Sequence, residues 1–342
     1  MTTITAPATA PEETIDTLYP DLSSLIYGVA IQHEKPSAVP AGLDSLMPAS
    51  ARANVRAKIG TGTPKPKSTR GNVNVEALAG AEKYVRPNGQ DYYARPWGDH
   101  TDIEVLRKAR GAGQYVLLYG APGTGKTACV EGAFPDDLYT VLGSGDTELS
   151  DFIGGYVQTP SGSFEWVDGA LVKSAEEGKV LLIDEIGLID PKVLSAVYGL
   201  MDGRKEITIT QNPERGTVKA KDGFFVIGAT NPNAPGVRLS EALLSRFSVQ
   251  VEMTTDWALA KKLGVPATAV SASQNLAKKQ SNGETSWSPQ FRELLAFRDL
   301  TNLFGSKWAI QNLLASAPEI DRSVVADVFT RVFGEAVMPA KI

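Results

Sequence analysis

Gly120, Gly125, Lys126 and Thr127 fall at the fixed positions of G-x-x-x-x-G-K-[ST], within the run Tyr-Val-Leu-Leu-Tyr-Gly-Ala-Pro-Gly-Thr-Gly-Lys-Thr that spans 115–127. That spacing suits a loop that cradles phosphate. Gly120, Gly123 and Gly125 let the backbone turn tightly and bring N–H groups against anionic oxygens, where a β-carbon would intrude. Ala121, Pro122, Thr124 and Ala128 complete the phosphate-contacting stretch. Lys126 adds a full positive charge at the β- and γ-phosphates, and the Thr127 hydroxyl is of the type that ligates Mg²⁺. The apolar run before the loop reads as a strand. The segment after it reads as a helix whose positive end faces the same anion.

A phosphate loop of this kind needs an acid to hold its metal, and Val-Leu-Leu-Ile-Asp-Glu at 180–185 supplies one. Val180–Ile183 read as a buried strand with Asp184 at its carboxyl end, where open α/β sheets bind ligands. Asp184 is placed to share Mg²⁺ with Thr127, and Glu185 to orient and polarise a water for attack on phosphorus. Asn231 follows Gly-Ala-Thr at the end of another apolar run. Its amide suits a hydrogen bond to the terminal phosphate or to the attacking water, and equally an Asx turn into Pro232. Arg246 ends a helical segment just before a strand. There it is better placed for a neighbouring subunit's phosphate than for its own, or it simply complements the helix dipole. Arg292, near the start of a later helix, either folds back over the phosphates or faces solvent. Cys129 reads as a small apolar packing residue.

The elements that must position these groups alternate. Strand-type runs at 115–119, 137–144, 180–184, 224–231 and 247–253 are separated by helical segments, which implies a doubly wound α/β fold with a parallel sheet covered on both faces. Two hairpins interrupt the alternation, Gly154–Gly169 and Glu206–Ala220. The segment His100–Gly113 fits a helix that leads into the first strand. Just before it, Tyr92, Tyr93 and Trp97 either line an adenine pocket or pin the incoming chain to the core. From Trp257 onward the pattern is helical. The expected organisation is a flexible arm at 1–75, an α/β domain at 76–255 that carries the phosphate loop, and a small α-helical domain at 256–342. The arm carries Arg52, Arg56, Lys58, Lys65, Lys67 and Arg70 with no acidic residue among them, either a solvated linker, the reading favoured, or a tether for nucleic acid or another acidic partner.

Composition narrows the class. With 42% apolar and 21% charged residues, a chain of 342 residues can bury a core of ordinary size. A net charge of −5 gives no global pull toward nucleic acid or an anionic membrane. One cysteine cannot make an intrachain disulfide, which fits a reducing, cytoplasmic setting. No apolar run is long enough to span a bilayer, and the N-terminus lacks the basic start and apolar centre of a signal peptide.

Taken in order, Gly-Ala-Pro-Gly-Thr-Gly-Lys-Thr, Leu-Leu-Ile-Asp-Glu, Gly-Ala-Thr-Asn, Leu-Leu-Ser-Arg-Phe and Ser-Pro-Gln-Phe-Arg-Glu-Leu-Leu resemble the motifs of the AAA+ ATPases. The two hairpins make the chain similar to the MoxR and dynein-related (midasin-like) branch. The resemblance implies strand order 5-1-4-3-2, Mg²⁺-dependent ATP hydrolysis and a homo-oligomeric ring, most often a hexamer. It implies Asn231 as sensor 1, Arg246 as an arginine finger acting in trans and Arg292 as sensor 2. In many relatives the finger motif is Asp-Arg-Phe, whereas Ser245-Arg246-Phe247 lacks that acid. For the biological task, the resemblance implies a remodelling motor acting on a protein client beside a von Willebrand A-domain adaptor. The alternatives are a phage or mobile-element ATPase acting on DNA, and a nucleotide switch that scarcely hydrolyses.

Overall fold

The computed structural model describes residues 82–336 and 338–339. The expected arm, its apolar cluster Leu22–Ile31 and the basic run Arg52–Gly71 lie outside the described residues. The chain divides after Ser68, and every described residue belongs to the second unit, Thr69–Ile342.

The described chain begins with two small antiparallel pairs, β1 (Lys83–Val85) with β2 (Asp91–Tyr93), and β3 (Pro96–Trp97) with β4 (His100–Thr101). Strands of two or three residues leave no readable alternation in a sequence. Helix α1 (Asp102–Gly111) follows, inside the expected segment and capped by Thr101. The Thr101 hydroxyl accepts the Glu104 N–H, and the Glu104 carboxylate accepts the Thr101 N–H. This reciprocal capping box satisfies two otherwise orphaned donors. Ile103, Leu106 and Ala109, one helical turn apart, face the core.

The central unit then alternates: β5 (Val116–Tyr119), α2 (Lys126–Ala133), β6 (Leu138–Leu142), α3 (Leu149–Ile153), the hairpin β7 (Gly154–Gln158) and β8 (Phe164–Asp168), α4 (Ala170–Glu177) and β9 (Val180–Asp184). After it come α5 (Pro191–Met201), the hairpin β10 (Glu206–Thr208) and β11 (Thr217–Lys219), β12 (Phe225–Thr230), α6 (Glu241–Leu244) and β13 (Val249–Glu252). Strands β13-β5-β12-β9-β6 pair in parallel in that order. Counted along the chain this is 5-1-4-3-2, the doubly wound α/β sheet expected. Val180, Leu181, Leu182 and Ile183 are fully buried because helices cover both faces. Each such side chain contributes about 1.5–3 kcal/mol. The order also sets the carboxyl ends of β5, β9 and β12 side by side, so the residues that come after them share one edge of the sheet.

A second apolar cluster is all helical, built by α7 (Trp257–Lys262), α8 (Ala267–Ser281), α9 (Phe291–Phe304), α10 (Ser306–Ser316) and α11 (Arg322–Phe333). Its centre is Phe297 with Phe329 and Phe333, whose ring centroids lie 5.8–6.4 Å apart. Helix α9 begins with its own capping box, Gln290 with Glu293, and that end lies against the phosphate loop.

Candidate functional site

The loop from Gly120 to Thr127 leaves β5 and enters α2 with Gly120, Gly123 and Gly125 all at positive φ, 140°, 80° and 93°. These are conformations that residues with a β-carbon rarely hold. Close approach adds to the requirement. A Cβ on Gly120 would stand 2.4 Å from the Met253 carbonyl oxygen, and one on Gly123 would stand 3.0 Å from Arg292 Cβ. Lys126 is 6% exposed and curls back over the loop, its Nζ donating to the carbonyls of Gly120 at 2.9 Å and Ala121 at 3.0 Å. Burial pushes its pKa below the usual lysine value, and the neighbouring Arg292 acts in the same sense while Glu185 and Asp184 oppose it. An anion entering the loop would therefore find a cation held by weak neutral acceptors.

The acid-bearing motif at 180–185 meets this loop directly through Asp184. The Thr127 hydroxyl donates to Asp184 Oδ2 at 2.7 Å, and Asp184 Oδ1 accepts the Glu185 N–H at 3.0 Å. Glu185 sits in the left-handed region at φ 49° and ψ 39°, one of two described non-glycine residues with positive φ. A residue in this region stores strain that the surroundings must over-determine. Gly143 at the end of β6 contributes to that. Its N–H donates to the Asp184 carbonyl at 2.7 Å, and a Cβ there would lie 2.6 Å from the Glu185 carbonyl oxygen.

Asn231 directly follows β12, whose Thr230 pairs with Tyr119 and accepts the Gly120 N–H at 3.2 Å. It therefore borders the loop, and its Oδ1 accepts the Asn233 N–H at 3.2 Å, the Asx turn that its sequence context also allowed. Arg292 comes to the loop through the main chain: its N–H donates to the Gly123 carbonyl at 3.1 Å. Arg246 lies two residues past the end of α6 and is held by its own chain. Its guanidinium carbon is 4.2 Å from the centre of the Tyr198 ring, Nη1 donates to the Ala242 carbonyl at 2.6 Å, and Nε is buried without a partner. Thus the loop, Thr127, Asp184, Glu185, Asn231 and the start of α9 are brought together, whereas Arg246 is held by Tyr198 of α5 and Ala242 of α6.

Of the aromatic candidates, Tyr92 pins the incoming chain. It is 7% exposed, its ring lies 3.1 Å from where a Gly132 Cβ would stand, and its hydroxyl donates to Asp102. Trp97 is 39% exposed on β3. Cys129 is buried in α2, and burial pushes its thiol well above the usual cysteine range. The residues that motif reading missed are Gly143 and Arg95. Neither belongs to a recognisable pattern, although an arginine buried beside a phosphate loop is a signal once burial is known.

The donor set fits a hard divalent cation. A hydroxyl paired with a carboxylate beside a phosphate cradle is the sparse protein contribution on which Mg²⁺ relies. Among the described residues no group of three or more His, Cys, Asp or Glu converges into a metal cage, and no helix is long and apolar enough to cross a membrane.

The model of the AAA domain, dynein-related subfamily, matches residues 115–247. Midasin of Giardia intestinalis is 34% identical over 155 residues, which cover 42% of this chain and 3% of midasin. The uncharacterized protein YojN of Bacillus subtilis strain 168 is 33% identical over 189 residues, covering 52% of this chain and 61% of its own length. An uncharacterized protein of Staphylococcus aureus strain USA300 is 36% identical over 143 residues, 39% of this chain and 53% of its own. The chain spans less than two thirds of each of these relatives. The matched region runs from β5 through β9 and β12 to Phe247, and so contains the loop, the paired acids and Asn231. Residues 115–247 therefore carry the match to the AAA domain of the dynein-related subfamily, on the segment that holds the phosphate loop and the paired acids.

Proposed function

We propose that this protein hydrolyses ATP in a Mg²⁺-dependent reaction and uses the cycle, as a homo-oligomeric ring, to remodel a protein client. The observation that carries the reading is the juxtaposition of the phosphate loop with Thr127, Asp184 and Glu185. The backbone of residues 120–128 and Lys126 bind the phosphates, Lys126 exchanging two carbonyl partners for anionic oxygens. Thr127 and Asp184 hold Mg²⁺, which, when bound, neutralises charge on the phosphate oxygens. Glu185 takes a proton from the attacking water while its carboxylate fixes the water in line. Asn231 turns its amide to that water or to the terminal phosphate, giving up its Asx turn, and Arg292 closes the site from above.

In this reading residues 76–255 form the ATPase domain and 256–342 the lid. Arg246 acts in a neighbouring subunit's site, leaving the Tyr198 ring to reach it. The hairpin β7–β8 supports a protein client over DNA: Tyr156, Val157 and Phe164 are 56%, 54% and 63% exposed, and its strands contain acids but no lysine or arginine. A phosphate backbone demands basic residues, whereas exposed aromatic and aliphatic side chains suit protein contact. Turnover measured against protein concentration tests the shared site. Activity per chain should rise as subunits associate and be lost in Arg246→Ala. Equal activity per chain in a dilute monomer, with Arg246→Ala unimpaired, would remove the trans-acting arginine.

A further inference from the structure

Arg95 lies outside every motif, in the link between β2 and β3, yet it is 9% exposed and touches three separate parts of the chain. Behind it, Nε donates to the Tyr92 hydroxyl at 3.1 Å and to Asp102 Oδ2 at 3.3 Å. Asp102 is itself fixed by the N–H groups of Arg95 at 3.0 Å and Ile103 at 2.9 Å and by the Tyr92 hydroxyl. In front, Nη1 donates to the Thr124 carbonyl of the phosphate loop at 2.9 Å and to the Thr254 carbonyl at 3.3 Å. Thr254 belongs to the short segment leaving β13 for α7. The remaining nitrogen, Nη2, lies 3.9 Å from Met253 Sδ and 3.5 Å from where a Gly125 Cβ would stand.

We infer that Arg95 is a positioning residue for nucleotide binding, which holds the phosphate loop in its binding conformation and in register with the hinge to the helical lid. The inference rests on reading residues 120–128 as the ATP site. In a trans peptide the C=O and the next N–H point to opposite sides. Drawing the Thr124 carbonyl toward Arg95 therefore turns the Gly125 N–H to the opposite face of the loop. The same Nη1 holds Thr254, so a shift of the lid hinge and a shift of the loop pull on one buried cation. Lysine cannot substitute: one compact ammonium lacks the fork that reaches a carboxylate, a hydroxyl and two carbonyls together.

The test is a titration of full-length wild type, Arg95→Lys, Arg95→Ala and Lys126→Ala with a fluorescent ATP analogue, alongside circular dichroism and thermal melting. Folded Arg95 variants should bind about tenfold more weakly or worse. Methylguanidinium at sub-denaturing concentration should restore the affinity of Arg95→Ala but not of Lys126→Ala, a rescue that general loosening of the fold would not show. A folded Arg95 variant with wild-type affinity overturns the proposal, as does a loss that methylguanidinium leaves unchanged. If neither Arg95 variant folds, the residue is structural and the proposal falls. Lys126→Ala separates the two levels. If it binds like wild type, the reading of the loop fails as well; if it alone loses binding, only the role of Arg95 does.

Discussion

The Thr127 hydroxyl donates to Asp184 Oδ2 over 2.7 Å, joining the end of the phosphate loop to the end of a strand that is separated from β5 by β12. The parallel order makes this meeting unavoidable, because every strand delivers its carboxyl end to the same edge. The hydroxyl and the carboxylate satisfy each other, and a divalent cation would have to part them.

Asp184→Asn keeps the shape and removes the charge. Turnover is expected to fall about 10²-fold or more, with ATP-analogue binding in EDTA close to wild type. EDTA should abolish turnover of the wild-type protein, and excess Mg²⁺ restore it. Steady-state assays with paired binding titrations check both.

Gly143→Ala should be costly and Gly145→Ala silent. A Cβ at Gly143 would press on the carbonyls of Glu185 and Asp184 at 2.6 and 2.9 Å, whereas nothing lies within 4 Å of one at Gly145. Overpacking of this kind costs about 1–3 kcal/mol, read by urea denaturation. Turnover should drop with it, because the displaced backbone carries both acids.

Lys126 should take up a proton when nucleotide binds at alkaline pH. Burial lowers its pKa from the ordinary 10.5 in the free protein, and phosphate beside the ammonium raises it again. Between the lowered and the ordinary value the unfolded chain binds more protons than the folded one, so this group makes stability rise with pH across that window. Calorimetry in buffers of different ionisation enthalpy should show proton uptake in that window and none near neutrality, with the effect absent in Lys126→Met.

The two hairpins are tied by Arg215, which bonds Asp168 at the end of β8 and Glu176 in α4. Burial pushes the Asp168 carboxyl up, but hydrogen bonds from Arg215 and Trp166 outweigh it and hold the group below the usual range. The stabilisation is present above the ordinary aspartate value and lost as pH falls through the lowered one. Arg215→Ala should therefore cost about 1 kcal/mol near neutral pH, less in acid, and speed proteolysis in the loop between β10 and β11.

Much of this was legible in the sequence. The phosphate loop and Asp184 carry local signatures because each must place backbone or charge within a few residues of a strand end. Thr127 and Asp184 could be paired before any coordinates, since metal chemistry demands a partner for the loop. Arg95 was not legible: its bond to Thr254 joins residues far apart in sequence, and buried polar contacts of that kind follow no spacing rule. Gly143 was hidden for the same reason, its tightness being visible only from Glu185. Asn231 read both ways, and its Asx turn shows why, since the amide that suits a phosphate also suits its own backbone.

Turnover by Glu185→Gln, with ATP binding measured on the same sample, decides whether Glu185 activates the attacking water. ATP affinity should stay near wild type while turnover falls by about 10²–10⁴-fold. Turnover at the wild-type rate in Glu185→Gln would contradict it.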